Sequence, residues 1–256
     1  MIALPFDLSA GQAGYLALVV LLAAFVRGYS GFGFAALVVS SASLITNPMW
    51  FVPVVTICDV VMTAQQARGV WREVEWGRVV ALFAGALVGV PLGVFTLASI
   101  GVDAARAVIA LYVLAMCGLL LAGVRFQSSV GRAGHVGVGV ISGMANGAAV
   151  GGLPVAAFFA AQPVSARAFR ATLIAYFTLL DLWSLPLMGQ AGLISRDTWL
   201  AVAWTLPILV LGIWLGGRHF IRAAPQSFRR FAIWLLVGLA CLGLLRSAQG
   251  WLGGAG

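Results

Sequence analysis

Charge is scarce in this chain, and lysine is absent: 9% of its 256 residues are charged, and all fifteen basic residues are arginines. Hydrophobic residues make up 62%, and apolar runs of membrane length recur from end to end, which excludes a soluble globular domain. The net charge of +8 does not indicate nucleic-acid binding, because the arginines collect in short loops between apolar runs. The sequence therefore predicts an all-α polytopic membrane protein whose surroundings are the lipid bilayer.

Cysteine and histidine are also few, and neither is placed for chemistry. Cys58, Cys117 and Cys241 each lie inside an apolar run, without a partner at metal-ligand spacing. An intramembrane enzyme, such as a protease, needs a Ser/His pair or zinc ligands at apolar depth, whereas His135 and His219 stand at segment ends. We therefore expect no catalytic residue, no metal and no cofactor.

The apolar segments form two groups of five that match as an internal repeat. One constant shift superposes Gly28 on Gly143 and Pro48 on Pro163, and a second, slightly longer one superposes Gly89 on Gly212. This predicts repeat one at 1–124, a cytoplasmic linker at 125–134 and repeat two at 135–256, within one transmembrane domain. The predicted segments are 14–29, 33–46, 50–67, 79–98, 104–124, 135–148, 150–161, 170–188, 198–217 and 231–246.

The arginines predict the orientation. If the N-terminus lies outside, twelve of the fifteen arginines, Arg27 among them, fall at the cytoplasmic face, as the positive-inside rule requires. An odd number of segments per repeat then makes the repeats inverted in topology and places both termini on the side of the membrane opposite the cytoplasm. The segments 33–46, 135–148 and 150–161 are short for a full span, so we expect broken or re-entrant half-helices there.

Two glycine-rich interruptions, at 27–34 and 143–152, occupy matching places in the repeats. A helix broken in the bilayer frees backbone N–H groups, and the half-helix that resumes offers those donors and its positive dipole end to an anion. The alternative is that these glycines only permit close helix packing, which suffices for Gly85, Gly89, Gly93, Gly212 and Gly216. We favour a substrate site formed by Arg27, Tyr29, Ser30, Gly31, Phe32, Gly33, Asn146, Gly147, Gly151, Gly152 and Arg170.

Asp59 and Asp181 are the two carboxylates inside apolar segments, where an ionised group is costly unless it is paired or hydrated. Each falls on a polar helix face, the first with Thr56, Thr63 and Gln66 and the second with Arg167, Arg170 and Thr178. Two hypotheses stay open. The acids are counter-ions of arginines such as Arg27 or Arg170, or one of them exchanges a proton during transport because burial favours its neutral form.

Three stretches carry a family resemblance: RGYSGFGFA followed by an NP turn, the PLG of the fourth segment, and ARAFRATLIAYFTLLD. The chain resembles the TauE/SafE family of bacterial membrane proteins over nearly its whole length. The resemblance implies an inner-membrane carrier for small sulfur-containing anions, typically sulfite or organosulfonates, and by matching position it includes both breaks, Arg170 and Asp181. We expect a secondary exporter that binds its anion at the midplane; an uptake permease for a related anion is the alternative.

Overall fold

The computed structural model of the chain describes residues 4–30, 33–66, 71–123 and 130–220, together with scattered helical positions between 234 and 248. The regular structure in these residues is helical throughout, which confirms the all-α prediction. The tenth predicted segment, 231–246, lies largely outside the described residues. The helices are α1 (Ala10–Ser30), α2 (Phe34–Ile45), α3 (Phe51–Gln66), α4 (Trp76–Ser99), α5 (Val102–Ala122), α6 (Arg132–Asn146), α7 (Gly152–Ala160), α8 (Ala166–Gln190) and α9 (Arg196–Phe220).

Five of these helices, α1, α4, α5, α8 and α9, are long and apolar enough to cross a membrane. Their outer faces carry exposed apolar side chains, such as Val88 and Leu92 on α4 and Trp214 on α9. Such side chains are stable against lipid but would be unfavourable in water. The chain is therefore a multi-pass membrane protein.

Helices end and resume at both glycine-rich interruptions. Between α1 and α2, Gly33 has a φ of 96°, a left-handed conformation that glycine adopts at little cost. Between α6 and α7, Ala149 has a φ of 55°. The amide of Gln12 near the start of α1 donates to the carbonyl of Ile45 at the end of α2 (3.2 Å), so α2 runs back along α1.

The second pair of helices forms a similar hairpin. The ring of His135, near the start of α6, makes an edge contact with the ring of Phe158 near the end of α7, with centroids 5.0 Å apart. Each interruption therefore lies at the tip of a helical hairpin. The open end of the first hairpin is formed by the start of α1 and the end of α2, and the open end of the second by the start of α6 and the end of α7.

Glycines bring the helix backbones together at two long contacts. A Cβ atom on Gly85, Gly89 or Gly93 of α4 would overlap the backbone of α6, and one on Gly212 or Gly216 of α9 would overlap α1. The packing role predicted for these five glycines is thus confirmed. The close contacts are Gly85 with Val136, Gly89 with Val140, Gly93 with Met144, Gly212 with Ala24 and Gly216 with Phe25.

Hydrogen bonds between distant residues define the two ends of the bundle. At one end the N–H of Phe6 donates to Asp197 at the start of α9 (3.1 Å), and Arg106 of α5 donates to the carbonyl of Thr46 (3.0 Å). At the other end the N–H of Glu75, just before α4, donates to Thr172 of α8 (3.1 Å). The first end is therefore where α1 and α9 begin and α2 ends, and the second is where α4 begins.

Candidate functional site

Arg27 lies inside the bundle beside an acid, as one of the two hypotheses for the intramembrane carboxylates predicts. Its residue surface is 2% exposed, its Nη1 lies 3.5 Å from Oδ1 of Asp59 on α3, and its guanidinium carbon lies 5.4 Å from the ring centre of Phe177 on α8. The cytoplasmic side that the arginine pattern gives Arg27 stays a prediction, because burial in the bundle does not specify a side of the membrane. What keeps it inside is an acid and an aromatic ring on two other helices.

One edge of the Arg27 guanidinium makes no hydrogen bond in the described part of the chain. Nε and Nη2 are both buried, and neither has a hydrogen-bond partner there. These two nitrogens form the planar fork that binds two oxygens of one oxyanion. A buried donor pair without acceptors is unfavourable, so this edge needs a ligand, a water molecule or a rearranged side chain.

Arg27 is part of the wall of a cavity between the two helix breaks. Arg27 and Asp59 line it from the first repeat, and Asn146 and Asp181 line it from the second. Its volume of about 20 Å³ is enough for about one water molecule. The rest of the wall is formed by small or apolar residues, namely Gly33, Ala35, Ala36, Ala149, Val150, Gly152, Leu153 and Phe177.

The N-termini of two helices border this cavity. Helix α2 begins after Gly33 and α7 begins after Gly151, and neither helix has a side-chain cap on its first N–H groups. Ala35 in the first turn of α2 and Leu153 in the first turn of α7 both line the cavity. Uncapped N-termini supply N–H donors and a partial positive charge, which favour an anion.

Asn146 connects the second break to α8. Its amide nitrogen donates to Oγ of Ser184 (2.8 Å) and, over a longer distance, to Oδ1 of Asp181 (3.4 Å). Ser184 in turn donates to the carbonyl of Leu180 (2.8 Å). The other carboxyl oxygen of Asp181, Oδ2, is buried and has no hydrogen-bond partner among the described residues. Asp181 is therefore held by an amide, whereas Asp59 lies beside an arginine.

A second set of polar residues forms hydrogen bonds that connect α8 to the backbone of the second break. The hydroxyl of Tyr176 on α8 donates to Oγ of Ser142 (2.9 Å), and Ser142 donates to the carbonyl of Gly151 (2.7 Å). Sequence reasoning missed this chain of hydrogen bonds and the contact of Phe177 with Arg27. Tyr176 and Ser142 were nevertheless visible as polar residues within apolar segments, at positions that a hydrogen bond must satisfy.

The predicted site residues do not all meet at the cavity. Gly147 lies against the backbone of Gly93 and Val94 on α4, and Gly151 lies against Ser142 and Asn146. Neither glycine is part of the cavity wall, and the same holds for Arg170, which is half-buried on α8. Gly31 and Phe32 lie outside the described residues, as do the side chains of Tyr29 and Ser30.

The threonines of the two polar faces form hydrogen bonds within their own helices. The hydroxyls of Thr56, Thr63 and Thr178 each donate to the carbonyl four residues earlier, at 2.8 Å. These bonds satisfy the hydroxyls without a ligand. Of the remaining predicted face residues, Arg167 is exposed and the side chain of Gln66 lies outside the described residues.

The fold and the cavity together define a multi-pass α-helical membrane protein with charged side chains buried inside its helix bundle. The family described as "Sulfite exporter TauE/SafE" matches residues 16–242, and the chain belongs to this family. A probable sulfite/organosulfonate exporter TauE of Cupriavidus necator is 26% identical over 237 residues, which cover 87% of this chain and 90% of the relative. No solved structure matches the chain at a significant level.

Proposed function

We propose that this chain is a secondary carrier that exports sulfite or small organosulfonates across the bacterial inner membrane. The observation that carries the proposal is Arg27, which lines a cavity between two helix breaks and whose buried Nε and Nη2 have no hydrogen-bond partner among the described residues. The family and the printed name of the relative favour sulfur oxyanions as the substrate class. On this proposal the sulfonate or sulfite oxygens bind the guanidinium in bidentate fashion, and the N–H groups of α2 and α7 complete the site.

The charges around the cavity set a condition for binding. One guanidinium, of Arg27, is opposed by the carboxyls of Asp59 and Asp181. An incoming anion therefore competes with Asp59 for the same cation. We propose that Asp59 is the resident counter-ion of Arg27 and that Asp181, which has an amide partner and no adjacent cation at ion-pair distance among the described residues, is the group that exchanges a proton.

The two hairpins support an alternating-access mechanism. The α1–α2 hairpin opens toward the end of the bundle that holds Phe6 and Asp197, and the start of α6 lies against α4 near the opposite end. We propose that the units 1–124 and 135–256, joined by the linker 125–134, are inverted repeats whose re-entrant hairpins meet at the anion. Because a cavity of about 20 Å³ is too small for a sulfonate, one hairpin must move during transport.

Export is the direction that the membrane potential favours for an anion. Moving one negative charge outward gains about 2.3 kcal/mol per 100 mV of inside-negative potential. With both termini in the periplasm, the arginine-rich loops face the cytoplasm. Uptake of a related small anion is the second candidate; it would require at least one proton for each negative charge of the anion, so that no net negative charge enters against the potential.

Flux through proteoliposomes tests the proposal. The purified protein is reconstituted with labelled sulfite, sulfate, taurine, sulfoacetate or acetate, and release is measured with an imposed potential of either sign. We expect sulfite or an organosulfonate to exceed acetate, with flux that rises when the potential drives anions outward. Arg27→Gln should abolish flux, whereas the exposed Arg167→Gln should not. Equal flux of all anions, or full flux in Arg27→Gln, would refute the proposed site.

A further inference from the structure

A second cavity, distinct from the one around Arg27, lies at the end of the bundle where α4 and α6 begin. Its volume is about 370 Å³, and its wall includes Glu75, Trp76, Arg78, Arg132 and His135. We propose that it binds the phosphate group of an anionic phospholipid of the cytoplasmic leaflet. The inference is independent of which substrate the carrier moves.

His135 is the innermost polar group of this cavity. It is 4% exposed, its Nδ1 lies 3.0 Å from the carbonyl of Gly131, and its Nε2 is buried without a hydrogen-bond partner among the described residues. The carbonyl requires a hydrogen on Nδ1, so Nε2 accepts in the neutral ring and donates in the protonated ring.

Arg78 supplies a second buried donor on the facing helix. Its Nε forms an ion pair with Glu75 (2.8 Å), and its guanidinium carbon lies 5.6 Å from the ring centre of Phe159. Its Nη1 is buried and, like Nε2 of His135, has no hydrogen-bond partner in the described ranges. Two basic side chains of different helices, each with an unsatisfied nitrogen, thus line one cavity, and a phosphate that enters it can satisfy them.

The helix ends add to the positive potential. Helix α4 begins at Trp76 and α6 begins at Arg132, and neither start has a side-chain cap. Helix α4 has 24 residues and α6 has 15, so each contributes a partial positive charge at this end. Together with Arg78 and Arg132, these dipoles outweigh the one carboxylate in the wall, Glu75, which is already paired with Arg78.

The position of the cavity favours a lipid phosphate over a free one. Trp71 and Trp76 stack on each other beside the opening, with ring centres 5.7 Å apart, and they are 51% and 46% exposed. Exposed tryptophans are typical of the headgroup level of a bilayer, and basic pockets between helices on the cytoplasmic side are typical sites for anionic headgroups. A phosphodiester at that level reaches the cavity while its acyl chains stay in the membrane.

Lipid binding to the purified full-length protein tests the inference. Native mass spectrometry and thermal shift compare phosphatidylglycerol with phosphatidylcholine and with inorganic phosphate. We expect selective binding of phosphatidylglycerol, weakened about tenfold in Arg132→Gln because a charge-assisted hydrogen bond is lost. Arg132 is exposed, so this variant should fold. Arg167→Gln, an exposed arginine near the start of α8, is the matched control and should bind as the wild type does.

A variant of His135 tests the buried side of the cavity. The other polar groups in the cavity wall are Glu75 and Arg78 before and on α4 and Arg132 on α6. We expect His135→Gln to bind phosphatidylglycerol more weakly than the wild type does, with no change in its weak response to phosphatidylcholine. Equal binding of both lipids, or wild-type affinity in both Arg132→Gln and His135→Gln, would overturn the inference. Equal effects of inorganic phosphate would overturn the lipid as its source.

Discussion

Arg27 is the residue on which both the stability of the helix bundle and the proposed binding site depend. A guanidinium that is 2% exposed in the bundle is tolerated because Asp59 lies 3.5 Å away and Phe177 presents its ring. Removing one member of a buried ion pair leaves the other uncompensated, which costs about 3–5 kcal/mol. Loss of stability and loss of binding must therefore be measured separately.

The first prediction separates them. Arg27→Gln should lower the thermal stability of the purified protein, because it leaves the Asp59 carboxylate buried without a cation. The double variant Arg27→Gln with Asp59→Asn should recover stability, because the buried charge is gone. Neither variant should bind sulfite or a sulfonate, since both lack the guanidinium fork. Melting curves and equilibrium binding on the two variants check this, and substrate binding by the double variant would contradict the role of Arg27.

The second prediction concerns Asp181, whose partner is the amide of Asn146. An asparagine in its place is nearly isosteric and can still accept from that amide, so Asp181→Asn should fold and insert normally. If the acid exchanges a proton, flux in the variant should no longer respond to an imposed pH gradient. Proteoliposome flux with and without the gradient measures this. A variant that fails to accumulate unless Arg27 is also replaced would instead identify Asp181 as a structural counter-ion.

At the scale of single elements, the glycines divide into two kinds. Gly89 lies against the backbone of Val140, where a Cβ atom has no room. Gly33 has open space around it, since the nearest atom to an added Cβ is Val26 Cγ1 at 3.9 Å, but its φ of 96° is unfavourable for any other residue. The first glycine is needed for packing and the second for the direction in which α2 begins.

This difference gives the third prediction. Gly89→Ala should lower stability by about 1–3 kcal/mol or more, because the backbones of α4 and α6 must separate, while the surviving protein binds substrate normally. Gly33→Ala should cost about 1–2 kcal/mol in stability and should weaken binding, because it disturbs the N-terminus of α2 at the cavity. Thermal shift and binding on both purified variants decide the matter. Unchanged affinity in Gly33→Ala would argue against donors from α2.

The sequence predicted the helices and the places where they break, because apolar run length and clustered glycines determine both locally. Predicted bounds such as 33–46 and 79–98 agree closely with Phe34–Ile45 and Trp76–Ser99. It left open whether Arg27 or Arg170 lies beside an acid, and it could not predict that Gly147 packs against α4, because those contacts depend on how distant helices meet. Helix periodicity specifies the face of a residue, and the tertiary packing specifies its neighbour.

At the scale of the whole molecule, the burial of Arg27 removes one arginine from the topology argument without changing its direction. Arg72 before α4, Arg132 at the start of α6 and Arg167 near the start of α8 lie toward the end of the bundle where the N–H of Glu75 donates to Thr172. At the other end, Arg106 pairs with Asp103 at the start of α5 (2.8 Å). An excess of positive charge at one end favours that end as the cytoplasmic one.

The fourth prediction tests this orientation and the inverted arrangement with it. In a background without Cys58, Cys117 and Cys241, a single cysteine is introduced at Arg72, which is exposed before α4, or at Gly101, which is exposed between α4 and α5. Gly101 has no atom within 4 Å of an added Cβ, so the substitution there is sterically harmless.

An impermeant thiol reagent should label Gly101→Cys in intact cells and should label Arg72→Cys only in inverted membrane vesicles, because α4 crosses the bilayer between the two positions. A second pair extends the test to repeat two: Gly131→Cys before α6 should behave like Arg72→Cys, and Gln190→Cys at the exposed end of α8 should behave like Gly101→Cys. The inverted topology requires this pattern, because α6 starts at the cytoplasmic end whereas α1 starts at the periplasmic end. Labelling of both Arg72→Cys and Gly131→Cys in intact cells would contradict the orientation. Labelling of these two positions from opposite sides of the membrane would contradict the proposal that the two hairpins enter the membrane from opposite sides.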